Sequence, residues 1–172
     1  LILDSGPDFD FTAARNVLAR RISTVPRMRQ RLRQAPFGCG RPIWVDDTVL
    51  ACSNHAFDVA LAHRAGEVRL EHLLHALTRI DAAAEALEAR GVRVAALRRE
   101  SATIIASEIP VGLPNGKGAP RRSEEFAEVL RLAAVNAVRR NAPAGIEDLL
   151  YVLFDQRSDL PGLNLLSRHT VR

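Results

Sequence analysis

The residues whose types and spacing could do chemistry are five histidines, two cysteines, four serines near helical stretches and two glutamates in matching positions. His72 and His75 stand one helical turn apart and could share a metal. Zinc sites, however, take three or four ligands, and no third ligand or organising carboxylate is spaced to complete this pair. Packing or capping is the better reading of His72. Cys39 and Cys52 are separated by thirteen positions, which fits no zinc or redox spacing, and His55 does not complete one. Ser101, Ser107, Ser123 and Ser158 occupy no nucleophile-elbow setting, and neither cysteine has an evident histidine partner. Gly116-Lys117 lacks the spacing and the Ser/Thr of a phosphate-binding loop. No catalytic residue, metal or cofactor is therefore assigned. Glu71 and Glu147 each open an apolar helical run, where a carboxylate stabilises the positive end of its own helix. Tyr151, Phe154 and Ile109 could form an apolar peptide-binding surface, although burial in the core is the ordinary fate of such residues.

The elements that must position these residues fall into two textures. The chain has 172 residues, 47% hydrophobic and 26% charged, the balance of a globular protein. No apolar run approaches the ~18 residues of a membrane span, and no secretory or transit signal is evident. Two cysteines fit a reducing, cytoplasmic setting. The opening at Leu1 rather than Met reads as a fragment. Of 24 basic residues only Lys117 is a lysine, and the net charge is +4. Residues 1–47 carry 8 basic against 5 acidic residues and residues 48–172 carry 16 against 15, so the longer part gives no electrostatic case for nucleic acid.

Within residues 1–47, Leu1-Ile2-Leu3 reads as a strand end. Phe11, Ala14, Leu18 and Ile22 mark one face of a helix stopped by Pro26. Arg27, Arg29, Arg31 and Arg33 alternate along an extended segment and so share one side. With no interleaved aromatic they read as a solvated strand face rather than a phosphate stripe. Pro42–Val45 is a second strand candidate. A segment this short seldom buries a core of its own.

Residues 48–172 are expected to form seven or eight helices. Asp46 or Asp47 caps the first, Thr48–His63. Leu70, Leu73, Leu74 and Leu77 then form a core-facing stripe. Helices follow near 81–89 and 94–107, and a turn-rich linker occupies 108–120. Ser123 caps the next helix, with Glu124 and Glu125 in its first turn and an apolar face of Phe126, Val129, Leu130, Ala133 and Ala137. Asn141-Ala142-Pro143 stops it. Ile146, Leu149, Leu150 and Leu153 then repeat the earlier stripe, and Asp159 opens a last short helix. Leu70-Glu71-His72-Leu73-Leu74 lies over Ile146-Glu147-Asp148-Leu149-Leu150 at an offset of 76, and His63-Arg64 over Arg139-Arg140 at the same offset. The expected fold is mainly all-α: a pseudo-twofold duplicated four-helix repeat (repeat one 48–107, linker 108–120, repeat two 121–172), preceded by a short mixed α/β segment, 1–47.

Two resemblances follow from these motifs. "VPRMRQRL" with "GRPIWVDD", after "LILDSGPDFDF", resembles the start of the bacterial wax ester synthase/diacylglycerol acyltransferase family. That family's catalytic motif is a His-His pair, and His55, His63, His72, His75 and His169 are all separated here, so its chemistry is not carried over. "VRLEHLLHAL", duplicated in register, resembles the N-terminal repeat domain of Clp protein unfoldases over residues 48–172. This second resemblance implies a non-catalytic module that binds substrate proteins, or adaptors that deliver them, for a Clp unfoldase acting in trans. It also implies that Glu71 and Glu147 contact the guanidinium of a phosphorylated arginine while the helix N-terminus takes the phosphate. The sequence departs from that pattern, because Arg69-Leu70 and Gly145-Ile146 stand where the family has Gly-Thr, which removes a hydroxyl donor from each copy. The competing reading is an acyltransferase fragment.

Overall fold

Asp46 ends the last strand of the N-terminal part and begins the helical part. The computed structural model describes residues 30–33, 43–112, 118–154 and 163–171, with side chains described from Val45 onward. The strand end at 1–3, the helix at 11–22, Arg27, Arg29, Cys39, Lys117, Ser158 and Asp159 lie outside these residues. β1 (Gln30–Arg33) pairs antiparallel with β2 (Ile43–Asp46), with Arg31 opposite Val45 and Arg33 opposite Ile43. Asp46 is extended (φ −66°, ψ 146°), and its carboxylate accepts the Thr48 N–H at 2.7 Å, capping α1 (Asp47–Ala62).

Repeat one continues through β3 (Glu67–Val68), α2 (Leu70–Leu77), α3 (Asp81–Glu88) and α4 (Val94–Ser107). Gly91, at φ +78°, makes the turn between α3 and α4, where an added Cβ would meet the Val171 carbonyl at 3.2 Å. Repeat two contains β4 (Arg121–Arg122), α5 (Glu124–Arg139), α6 (Ile146–Phe154) and α7 (Leu163–Arg168). Ser123 caps α5 as its position predicts, its Oγ accepting the Phe126 N–H at 3.2 Å. The mainly all-α double repeat is therefore the observed architecture, with a short α/β segment ahead of it of which the strand pair β1–β2 is described.

The duplication is visible in the caps as well as the helices. α1 and α5 have the same length, the caps Asp46 and Ser123 are 77 apart, and the left-handed residues that follow, Arg64 (φ 56°) and Asn141 (φ 51°), are also 77 apart. α2 and α6 begin 76 apart. The uniform offset of 76 read from the sequence therefore holds only for the second helix of each repeat, because the α1–α2 connection is one residue longer than the α5–α6 connection. Backbone pairing across the repeats shows the same symmetry. β3 runs parallel to β4, pairing Val68 with Arg122, and Val45 bridges Ala144 in parallel. The Ser123 N–H donates to Val68 O and the Asp46 N–H to Ala144 O, both at 3.0 Å. In each pair, the residue ahead of one repeat's first helix binds the residue ahead of the other repeat's second.

The apolar stripes meet in one core. Leu70, Leu73, Leu74 and Leu77 of α2 are fully buried with Leu87, Leu97, Phe126, Leu149 and Leu150, and Phe57 meets Phe126 edge-on at 5.8 Å. Each such side chain contributes about 1.5–3 kcal/mol when withdrawn from water. Ile109 is buried and Phe154 packs against this core, as expected. Tyr151 does not, being 66% exposed on α6. The α6 stripe is filled by leucines and Val152, and Tyr151 falls on the opposite face.

Candidate functional site

The two motif glutamates stand at the second position of equivalent helices, but their surroundings differ. Glu71 of α2 is half-buried, and its Oε2 is enclosed without a hydrogen-bond partner. Glu147 of α6 is 66% exposed and forms an ion pair with Arg90, which follows α3 in the other repeat. Arg90 also donates to the Ala86 carbonyl, so the guanidinium is held from two sides.

The next residue in each motif closes the helix start. The Arg69 N–H donates to His72 Nδ1 at 3.0 Å, and the Gly145 N–H donates to Asp148 Oδ2 at 3.0 Å. Each side chain binds the N–H three residues before it, the returning half of a capping box. An N–H that a phosphate could have used is thus taken at both sites. The capping role expected of His72 is the observed one.

Behind the caps the repeats diverge. Arg140, which caps the C-terminus of α5, forks onto Asp148 through Nε to Oδ1 at 3.1 Å and Nη2 to Oδ2 at 2.5 Å, and Asp148 is only 4% exposed. Planar guanidinium and carboxylate match in such a two-bond pair. The position equivalent to Arg140 in repeat one is His63, the C-cap of α1, and the position equivalent to Asp148 is His72. An ion pair in one repeat is two imidazoles in the other. His63 Nε2 and His72 Nε2 are both buried without a partner. Burial first, and then the neighbouring His63, hold the His72 pKa down to about 4.

The hydrogen bonds also fix what His72 and His75 can ligate. A neutral His72 that accepts at Nδ1 must carry its proton on Nε2, so neither ring nitrogen offers a lone pair to a metal. Ser101 Oγ donates to the Arg98 carbonyl at 3.1 Å, so its contact with His75 Nδ1 at 3.1 Å has the imidazole as donor. His75 pKa is lowered by burial and then by Arg79. Among the described residues no group of three His, Cys, Asp or Glu side chains could hold a metal ion. Cys52 is enclosed in the core, where burial pushes its thiol up to about 12, far from the thiolate a nucleophile needs. Ser107 donates to Thr103 O on exposed surface.

The sequence motif of the Clp repeat (R) N-terminal domain matches residues 49–162, about two thirds of the chain and most of both repeats. The chain belongs to the Clp repeat N-terminal domain family. A solved structure described as "Preliminary structural investigations of a malarial protein secretion system" superposes on this chain with a TM-score of 0.61, covering 73% of this chain and 84% of the other at 19% identity. At that identity the likeness is one of fold. A second match, to the wax ester synthase/diacylglycerol acyltransferase catalytic domain, covers residues 3–81. Proteins described as diacylglycerol O-acyltransferases in Mycobacterium bovis and Mycobacterium tuberculosis are 36% identical over 74 residues. That span is 43% of this chain, and the chain covers only 16% of those relatives. The acyltransferase likeness therefore runs past position 47 into α1 and α2, and residues 49–81 match both families. The change of texture at position 47 marks where the described helices start rather than where the likeness stops. Among the described residues no helix is long and apolar enough to cross a membrane.

Proposed function

We propose that this chain is a non-catalytic protein-interaction module that binds substrate proteins, or adaptors that deliver them, for a Clp-type unfoldase acting in trans in the cytoplasm. The observation that supports this reading is the double repeat, joined by its cross-repeat backbone pairing and matching the Clp repeat domain over residues 49–162. Such binding needs no cofactor. The near-neutral balance of residues 48–172 favours a protein over a nucleic acid.

Within this reading Glu71 and Glu147 are the contacts for a peptide or a phosphorylated arginine, and their surroundings rank them. Glu71 has a carboxylate oxygen without a partner, which an incoming guanidinium would satisfy. Glu147 must first give up Arg90. The test is a titration of the full chain with arginine-phosphorylated and unmodified unfolded peptides, repeated with Glu71→Ala and with Glu147→Ala. Phosphate-dependent binding weakened tenfold or more by Glu71→Ala, and less by Glu147→Ala, is the expected result. Equal binding of both peptides, indifferent to both substitutions, would remove the glutamates from the site. Binding of neither peptide would overturn direct substrate capture.

The match over residues 3–81 favours a second reading, a piece of an acyltransferase. The sequence has no adjacent histidine pair. Loss of the folded core in a chain that begins at Thr48 would favour that reading over a self-contained repeat domain.

A further inference from the structure

The pseudo-twofold axis places His63 and His72 where repeat two has Arg140 and Asp148. The equivalence is geometric. His63 and Arg140 are the C-caps of matching helices, and His72 and Asp148 each accept the N–H three residues earlier. In repeat two the pair holds opposite charges in direct contact. In repeat one it holds two basic rings whose Nε2 atoms are buried and unpartnered. The groups whose charge bears on His72 are His63 at the end of α1, Arg69 in the turn before α2, and His75 on α2 itself. Those that bear on His75 are Arg79, His55 of α1 and Arg98 of α4. All of these are cationic when charged; the carboxylate on the same first turn is Glu71, whose Oε2 is enclosed without a hydrogen-bond partner. The positions in repeat two that correspond to His55 and His75 are Leu132 and Tyr151, so the histidine cluster belongs to one repeat alone.

We propose that the α1–α2 corner of repeat one is an acid-responsive switch: protonating the buried His72, which lies beside the unpartnered Nε2 of His63, opens this corner while the Arg140–Asp148 pair keeps repeat two closed. This inference does not rest on any reading of what the domain binds.

The sign follows from linkage. A histidine held neutral by burial takes up its proton more readily in the opened state, so the closed state is fully favoured above the ordinary 6.5. It weakens as pH falls from 6.5 toward about 4. Moving one imidazole between those values raises the opening constant about thirtyfold between pH 8 and pH 5.

Amide hydrogen exchange on the full chain, corrected for the intrinsic pH dependence, reads this directly. Protection at Leu73, Leu74, Ala76 and Leu77 should fall by about that factor between pH 8 and pH 5. Protection at Leu149, Leu150, Val152 and Leu153 should hold. Equal loss in both repeats, or none, overturns the proposal. The double substitution His63→Arg/His72→Asp installs the repeat-two pair in repeat one and should abolish the difference. If the response persists in that variant, the pair is not its source. Ring-proton NMR of the unsubstituted chain decides the matter even if the variant fails to fold: a His72 midpoint well below 6.5 supports the proposal, and one near 6.5 overturns it.

Discussion

Asp148 shows how one side chain serves both a helix start and a pair of repeats. Its carboxylate takes the Gly145 N–H and both arms of Arg140 while remaining almost wholly enclosed. Asp148→Ala should therefore cost about 1–3 kcal/mol, chiefly from leaving the Gly145 N–H without its acceptor. Arg140 is 54% exposed and can return to water, which keeps the loss below that of a fully buried broken pair. Asp148→Asn preserves an acceptor for the N–H and should lose less than half as much in thermal or urea unfolding. A loss of several kcal/mol for both would mean the charge itself, and not the cap, dominates. Sequence reasoning reached Glu71 and Glu147 because the motif repeats. It missed Asp148 and Arg140 because an aspartate over a histidine looks like drift rather than function. The Glu147 partner was equally hidden, since Arg90 lies 57 positions away and comes close only in the folded chain.

The helices were legible because burial on one face of a helix leaves its trace every three or four residues. The stripes at 70–77 and 146–153 lie where the spacing places them, and α4 has the bounds its apolar positions predict. What periodicity does not reveal is how a strand hands over to a helix. The division at 47 leaves Val45 and Asp46 outside the helical domain, yet Val45 bridges Ala144, and Asp46 both caps α1 and donates to the Ala144 carbonyl. A chain beginning at Thr48 loses all three interactions. It should fold less stably than a chain beginning at Ile43, by about 1 kcal/mol for the cap alone and more with the backbone bond. Comparing the melting temperatures of the two chains checks this. Identical values would show that the strand merely leans on the repeats. The two-offset alignment was missed for a related reason: Arg64 and Arg140 are identical residues, and identity drew the register one position away from the caps.

The two repeats share one interior, and that decides how the domain comes apart. α2 packs against α5 and α7 as well as α1 and α4, α3 against α6, and α4 against α7, so each repeat supplies part of the other's covering. Arg168 and His169, at the end of α7, also hold Glu100 of α4 at 2.6 and 2.5 Å. A single repeat of this size leaves its leucine stripe in water, which is why duplication stabilises what neither copy could hold alone. Unfolding near neutral pH should therefore be one transition, coincident by far-ultraviolet circular dichroism and by heat capacity. Leu73 and Leu149 sit at equivalent places in the two stripes and are both fully buried. Leu73→Ala and Leu149→Ala should each cost about 2–5 kcal/mol, the range for emptying a core leucine site. Each should lower the single transition without splitting it. Were the repeats independent, either substitution would melt one half and leave the other at its original temperature. Two separated transitions in either variant at pH 7.5 would thus refute the shared core, whereas separation confined to acid would locate the weakness at the histidine corner of repeat one.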